Sequence, residues 1–198
     1  MRVWLKILVF PLLLACACSQ KKASELPLGE MAEGDLAFRC GRGLFSRVVT
    51  TAEDKGVYSH IGIVVRDEGK WKVAHSVPGE SEFKGDFDRV KLEDIETFFA
   101  PDRAYRGCLV RTGIKDAGRI CERAIQAARD SVAFDGDYDL ADSSKLYCTE
   151  FVWRLFLGEG LDLTEGRRRN VTVFRIDGEV ILPEHILDYS GNEKYYQF

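Results

Sequence analysis

The chain has 198 residues, with 28 Lys and Arg against 32 Asp and Glu, and a formal net charge of −4 at pH 7. This acidic balance argues against nucleic-acid binding, which requires a basic face. The basic run at 167–169 is expected to be a solvated loop. The length and the 45% of hydrophobic residues suit a single domain with its own core.

The N-terminus is typical of a targeting segment. Arg2 and Lys6 precede an apolar stretch, 7–15, that is too short to span a bilayer as a helix, which takes about 20 residues. A small residue then stands directly before a cysteine, as in the bacterial lipoprotein signal, where that cysteine becomes the lipidated N-terminus. Cys16 is the better match, because a leucine lies three residues upstream, and Cys18 is the alternative. Ordinary cleavage without lipid is the competing interpretation, and two cysteines at the cleavage site favour lipidation.

Three segments follow from this: a lipoprotein signal peptide with its lipobox (1–18), a polar tether (19–28) and one folded domain (29–198). In chain order we predict a strand at 34–39, a helix at 44–52, strands at 58–65 and 71–77, an amphipathic segment at 93–99, a strand at 105–111, a helix at 116–132, an acidic loop at 134–142, a helix at 147–157, and one or two strands within 171–182. The helix at 147–157 is apolar nearly all round, which predicts that it is buried. This order predicts an α+β fold with a mainly antiparallel sheet.

Four cysteines follow the signal, and no Cys-x-x-Cys pair suggests zinc or redox chemistry. They are Cys40, Cys108, Cys121 and Cys148. Cys148 stands at the start of the apolar helix, where the helix dipole favours a thiolate. If Cys148 stays free, the other three allow at most one intramolecular disulfide.

Two of the three histidines lie on one predicted hairpin, His60 on its first strand and His75 on its second. A two-residue turn at 67–68 makes them direct partners, with Cβ atoms about 4.5–5.5 Å apart, and a turn at 68–69 makes them diagonal neighbours, about 7–8 Å apart. Either turn puts both imidazoles on one face, whereas a three-residue loop or a bulge separates them. On one face His75 can orient His60, and Cys148 would come from the helix packed on that face.

Each of these residues has an ordinary explanation when it is taken alone. A cysteine at a helix start is most often a buried hydrophobe, and a strand histidine is most often a satisfied core residue. The joint pattern favours a cysteine hydrolase, because a thiol needs a nearby imidazole to become a nucleophile at neutral pH.

Five short motifs occur in a characteristic order: GDLAFR at 34–39, YSHIGIV at 58–64, VAH at 73–75, FD at 134–135 and LYCTE at 146–150. Together they resemble the permuted papain-like amidase family, the circularly permuted branch of the NlpC-type cell-wall peptidases, which is related to lecithin retinol acyltransferase. The resemblance implies that the domain at 29–198 is a permuted papain-like catalytic domain. Its fold class would be α+β and papain-like (circularly permuted NlpC-type), with the antiparallel sheet packed on the helix that carries the cysteine.

The resemblance also implies site residues. Cys148 matches the nucleophile and His60 the general base. His75 falls where many members have a glutamate and others a histidine, so its implied role is to orient His60. Tyr147, next to the nucleophile, is implied to help the oxyanion site, and Glu150 belongs to the motif without an assigned role. No metal and no organic cofactor is implied.

These expectations describe a lipid-anchored cysteine amidase of the bacterial cell envelope, on the outer side of the inner membrane or at the outer membrane. It would cleave amide bonds in peptidoglycan stem peptides or similar amides through a thioester acyl-enzyme. Its partners would be that cell-wall-derived substrate and the membrane, with no nucleic acid. Two alternatives remain: an acyltransferase or lipid esterase with the same triad, which a wide apolar cleft would favour, and a non-catalytic envelope binding module.

Overall fold

The computed structural model describes residues 26–173 and 176–198. The predicted signal peptide, with Cys16 and Cys18, lies outside the described residues, as does most of the predicted tether. In chain order the elements are β1 (Leu36–Cys40), α1 (Leu44–Ala52), β2 (His60–Asp67), β3 (Lys70–Val77), β4 (Arg89–Asp94), α2 (Ile95–Phe98), β5 (Arg106–Arg111), α3 (Gly118–Arg129), α4 (Cys148–Leu157), β6 (Arg169–Val173), β7 (Ile176–Val180), α5 (Pro183–Leu187) and β8 (Glu193–Gln197). No helix of this described part has the length and apolarity that crossing a membrane requires.

A six-stranded antiparallel sheet, in the order β4-β3-β2-β1-β5-β8, organises the described residues, and β6 and β7 form a separate two-stranded ribbon. Side chains alternate between the two faces along each strand. Ile61 and Ile63 of β2 point to the face that α3 and α4 cover. Val64 and Val73 point to the opposite face, against the short helix α2.

The β2–β3 hairpin turns at Glu68 and Gly69, whose φ angles are 50° and 78°. Positive φ at both central residues is the type I′ geometry that matches the twist of paired strands. Asp67 therefore pairs with Lys70, which confirms the turn that makes the two histidines diagonal neighbours.

The β2–β3 pairing does not run to the ends of the two strands. Its last pair is Ile63 with Ala74, although β2 begins at His60 and β3 continues to Val77. Beyond that pair, β2 stays bonded to β1 and β3 stays bonded to β4. The two strands are therefore not paired with each other at 60–62 and 75–77, and we refer to this unpaired end of the hairpin as the gap, although Gly62 and His75 remain close to each other.

The papain-like (circularly permuted NlpC-type) fold class expected from the resemblance is wrong. The described residues form a mainly antiparallel sheet with few helices, which the α+β label fits only loosely, and the structural comparison below points elsewhere. Short local motifs predict where strands and helices lie, whereas the order of the strands depends on pairing between distant segments. For that reason the motifs were insufficient to fix the fold.

The expected position of the cysteine helix is also wrong. Phe151 and Val152 of α4 pack with Ile61 and Ile63, whereas His60 points to the opposite face of β2. The prediction assumed that a buried helix covers the face carrying the histidines. Instead, α4 packs on the face opposite the histidines. Cys148, in its first turn, still lines the same cavity as His60, at the gap between β2 and β3.

Candidate active site

Cys148 is the first residue of α4 and lies at the gap between β2 and β3. The backbone N–H groups of Ile61, Thr149 and Cys148 itself lie near its sulfur and lower the pKa of the thiol, against the larger effect of burial. Ser76 of β3 donates a 2.5 Å hydrogen bond to the carbonyl of Leu146, which ties the segment before α4 to the other side of the gap. The Cys148 thiol therefore lies near Ile61, the residue that follows His60 in β2. Among the described residues, Cys148 and His60 are not joined by a hydrogen bond.

His60 and His75 are joined directly. His60 Nε2 lies 2.9 Å from His75 Nδ1, and the rings meet edge to face with their centroids 5.1 Å apart. The exposed fractions are 8% and 0%. Phe98 of α2 packs against both rings, at 5.8 and 5.2 Å between centroids. Because Nε2 of His60 is engaged, Nδ1 is its nitrogen available to another partner.

Gly62 allows the two histidines to approach. A Cβ atom at this position would lie 2.4 Å from Cγ1 of Val73, 2.9 Å from the carbonyl oxygen of Ala74 and 3.0 Å from Cβ of His75. No side chain larger than hydrogen fits there without moving the strand that carries His75.

A buried ionic cluster lies beside the histidine pair. Arg39 of β1 is the strand partner of His60 and is 2% exposed. Its guanidinium forms an ion pair with Glu80, lies 3.7 Å from Glu93 and stacks over the ring of Phe98 at 4.4 Å. Arg103 forms a second ion pair with Glu80 and lies 3.2 Å from Glu93. Sequence reasoning assigned no role to this cluster; the position of Arg39 opposite His60 was the signal that could have found it.

Burial keeps the thiol and the imidazoles uncharged. It raises the pKa of Cys148 to about 11, although the N–H groups and Arg39 act in the opposite direction. Burial, with the positive charge of Arg39, also holds the pKa of His60 well below its usual value. For His75 burial is again the largest cause of a strongly lowered pKa, followed by His60 and Arg39. The free protein at neutral pH therefore holds a neutral thiol and neutral imidazoles rather than an ion pair.

Tyr147 and Glu150 flank the nucleophile position. The Tyr147 hydroxyl accepts a 2.9 Å hydrogen bond from the Ile181 N–H, so it is oriented towards the segment after β7. Glu150 is fully buried, bonds Arg154 at 2.7 Å and has its pKa raised to about 7, chiefly by burial. Since Arg154 also donates to the carbonyl of Leu140, Glu150 anchors α4 to the preceding loop.

A cavity of about 510 Å³ opens over Cys148 and His60. One wall is apolar and comes from α1, the β6–β7 ribbon and the start of α5. Its members include Val48, Val49, Ala52, Val171, Ile176, Val180, Ile181, Leu182 and Pro183. The other end is charged, with Arg39, Arg42, Glu80, Asp102 and Arg103.

The described cysteines are all free thiols. Cys40, Cys108 and Cys121 are buried, whereas Cys148 is partly exposed. Burial also raises the pKa of Cys108 to about 11 and that of Cys121 to about 12. Exposure, rather than the pKa, therefore distinguishes Cys148 from the other three described thiols.

The Cys148 thiol and the two imidazoles, at the gap between β2 and β3, define a candidate cysteine-dependent site. No known protein family matches the chain, and neither does any curated protein. Among solved structures the chain is similar to the metalloprotein yiiX of Escherichia coli O157:H7, described as DUF1105, with a TM-score of 0.68 and 16% identity over 84% of this chain and 97% of that chain. At this identity the likeness concerns the fold alone, and it is the finding that overturns the expected papain-like fold class.

The cluster His75, Glu80 and Glu93 contains three potential metal ligands within 4.8 Å of one another. Both carboxylates, however, are already matched by the guanidinium groups of Arg39 and Arg103. A divalent cation would add two positive charges to a largely buried site that is balanced without it, at a large desolvation cost. A metal ion bound here would therefore have to displace or compete with these ion pairs.

Proposed function

We propose that this protein is a cysteine hydrolase that cleaves amide bonds, with Cys148 as the nucleophile and His60 as the general base. One observation carries the proposal: a partly exposed thiol at a helix start and the ring of His60, which is hydrogen-bonded to the buried His75, line the same cavity. A nucleophile with a nearby base that a third group orients is the arrangement covalent catalysis requires.

In the proposed reaction Nδ1 of His60 takes the proton of the Cys148 thiol as the sulfur attacks the amide carbonyl. Because the thiol starts neutral, this transfer accompanies the attack. The N–H groups of the first turn of α4 stabilise the oxyanion, with Tyr147 as a further donor. His60 then returns the proton to the departing amine, and water hydrolyses the remaining thioester.

The proposed setting is the bacterial cell envelope, with the chain held by lipid on Cys16 or Cys18. Peptidoglycan stem peptides or similar amides are the proposed substrates, in line with the motif resemblance to permuted amidases. The charged end of the cavity suits the termini of such peptides, because Arg42 can pair with a carboxylate and Asp102 with an amine.

A second candidate function is an acyltransferase or lipid esterase that uses the same thiol. The apolar wall of the cavity favours it, because an acyl chain would bury its methylenes against residues such as Val49 and Leu182. A non-catalytic binding module is the third candidate, and it requires no reactive thiol.

The test incubates the full-length protein in detergent with a panel of stem-peptide amides and a panel of acyl esters, followed by acid quench and mass spectrometry. We expect a substrate-derived mass on the peptide containing Cys148, and the panel that supplies it separates amidase from esterase. Cys148→Ala should stay folded by circular dichroism and lose both adduct and turnover. The control Cys108→Ala, which removes a buried thiol far from the cavity, should keep both. Wild-type turnover in Cys148→Ala would exclude the proposal.

A further inference from the structure

Two buried polar atoms face each other behind the histidine pair. Nε2 of His75 and Oε2 of Glu93 are 3.6 Å apart, and neither has a hydrogen-bond partner among the described residues. Both atoms are buried from bulk solvent, and the side chains are 1% and 13% exposed. A buried polar group without a partner is costly, which makes such a facing pair informative.

We propose that Glu93 is a positioning residue: its ionised carboxylate holds the N–H at Nε2 of His75 and so selects the tautomer of His60 that can accept the Cys148 proton. This inference rests on the proposed function, because a tautomer matters only if His60 acts as the base.

A single hydrogen lies between the two rings, and the ring that donates it decides the tautomer of both histidines. If His60 donates through Nε2, its Nδ1 is bare and basic, and neutral His75 must carry its own hydrogen on Nε2. If His75 donates through Nδ1, His60 carries its hydrogen on Nδ1 and cannot take a proton. A carboxylate can accept from Nε2 of His75 but cannot donate to it, so ionised Glu93 stabilises the first arrangement and disfavours the second.

The sheet places Glu93 for this task. His75 of β3 is the partner of Lys91 in β4, and Glu93 lies two residues further along on the same face. Arg103 holds the other oxygen, Oε1, at 3.2 Å, and Oε2 lies 3.6 Å from His75 Nε2 and 3.7 Å from Nη1 of Arg39, which favours the ionised carboxylate. A long contact of 3.6 Å that shortens in the substrate complex is common in unliganded sites.

The charge of Glu93 depends on its neighbours. Burial raises the pKa of Glu93, and Arg103 and Arg39 oppose that effect. The charged and titratable groups around it are Arg39 of β1, His60 of β2, His75 of β3, Glu80 and Glu82 before β4, Lys91 of β4 and Arg103 after α2. As pH falls through the pKa of Glu93, the neutral acid would donate to Nε2 of His75 and reverse both tautomers.

Nitrogen-15 NMR of histidine-labelled full-length protein tests this directly, since the chain has only three histidines. In the wild type we expect His60 to be protonated at Nε2 and bare at Nδ1, and His75 to be protonated at Nε2. In Glu93→Gln the two arginines attract the amide oxygen, the amide nitrogen faces His75, and both tautomers should reverse. Turnover should fall by about 10²–10⁴-fold, the range of general-base catalysis.

Glu80→Gln is the matched control, because it removes one negative charge from the same two arginines while Glu93 remains; both tautomers should stay as in the wild type. The wild-type tautomers are read without any substitution, so they test the inference even if Glu93→Gln does not fold. The inference is overturned if wild-type His60 is protonated at Nδ1, if Glu93→Gln leaves the tautomers unchanged, or if a chelator changes the His75 signals and so reveals a metal on Nε2. The spectra need no turnover, so failure of the proposed hydrolase activity would be seen separately.

Discussion

His60 and His75 share a hydrogen bond but have different roles in the proposed mechanism. His60 lines the cavity with Cys148, whereas His75 is fully buried behind it. We expect His60→Ala to lower kcat/KM by about 10²–10⁴-fold and His75→Ala to leave more activity, because a positioning group is lost rather than the base itself. The Cys148/His60 double variant should be little worse than either single variant, since residues that act as one unit are not additive.

Steady-state kinetics with the substrate found in the adduct experiment measures these effects. His185→Gln is the control, because His185 only accepts the Leu182 N–H within α5 at 3.2 Å, and it should keep the turnover of the wild type. Greater damage from His75→Ala than from His60→Ala would show that the two roles are reversed.

The pH dependence of activity follows from the lowered pKa of His60. Protonated His60 cannot act as a base, so kcat/KM should rise with pH through a value below 6.5, the ordinary pKa of histidine. The thiol, with a pKa of about 11, stays neutral across this range and causes no fall near neutral pH. We therefore expect a plateau from neutral to mildly alkaline pH, whereas a preformed thiolate–imidazolium pair would give a bell-shaped profile.

At the scale of elements, the gap between β2 and β3 brings α4 and the histidines together across the sheet. Gly62 lies next to the last strand pair, Ile63 with Ala74, and contacts Val73 too closely for a Cβ atom. We expect Gly62→Ala to lower the free energy of unfolding by about 1–3 kcal/mol through overpacking. Because the strand carrying His75 must move, activity should fall as well.

Urea unfolding followed by circular dichroism, together with the activity assay, checks this pair of effects. Gly178→Ala is the control, since a Cβ atom at Gly178 of β7 would meet nothing within 4 Å. That variant should change stability and activity little, and an equal loss in both variants would contradict the argument from close approach.

For the whole molecule, the N-terminal signal predicts attachment to a membrane through lipid. If the signal peptide ends in a lipobox, the mature protein carries acyl chains on Cys16 or Cys18 and partitions into detergent, since each buried methylene contributes about 0.8 kcal/mol. The intact mass of protein purified from membranes measures this and also identifies the cysteine. Cys16→Ser and Cys18→Ser, compared as a pair, should differ, because only one of them removes the lipid. The mass of a simple cleavage product would contradict lipidation.

Much of the local structure could be predicted from the sequence. The helix at 44–52 has the bounds that were predicted for it, and alternation with a two-residue turn correctly put both histidines on one face. The strand β4 was missed, since only an amphipathic segment at 93–99 was predicted there, and two C-terminal elements were missed as well. α5 is a single helical turn, and the short strand β8 exists because it pairs with β5, more than 80 positions earlier in the chain. Neither element has a periodic pattern long enough to detect.

By itself the sequence determined the hairpin and the identity of the candidate thiol and imidazoles, because turns and side-chain alternation are local properties of the chain. It left two turns open, and the structure decided for the turn at Glu68 and Gly69. Only the tertiary structure decided the fold type, the face that α4 covers, and the cluster of Arg39, Glu80, Glu93 and Arg103. It also decided that Cys148 and His60 are neutral. Charge states at this site depend on desolvation and on ions contributed by distant strands, and neither exists until the sheet and its helices have packed together.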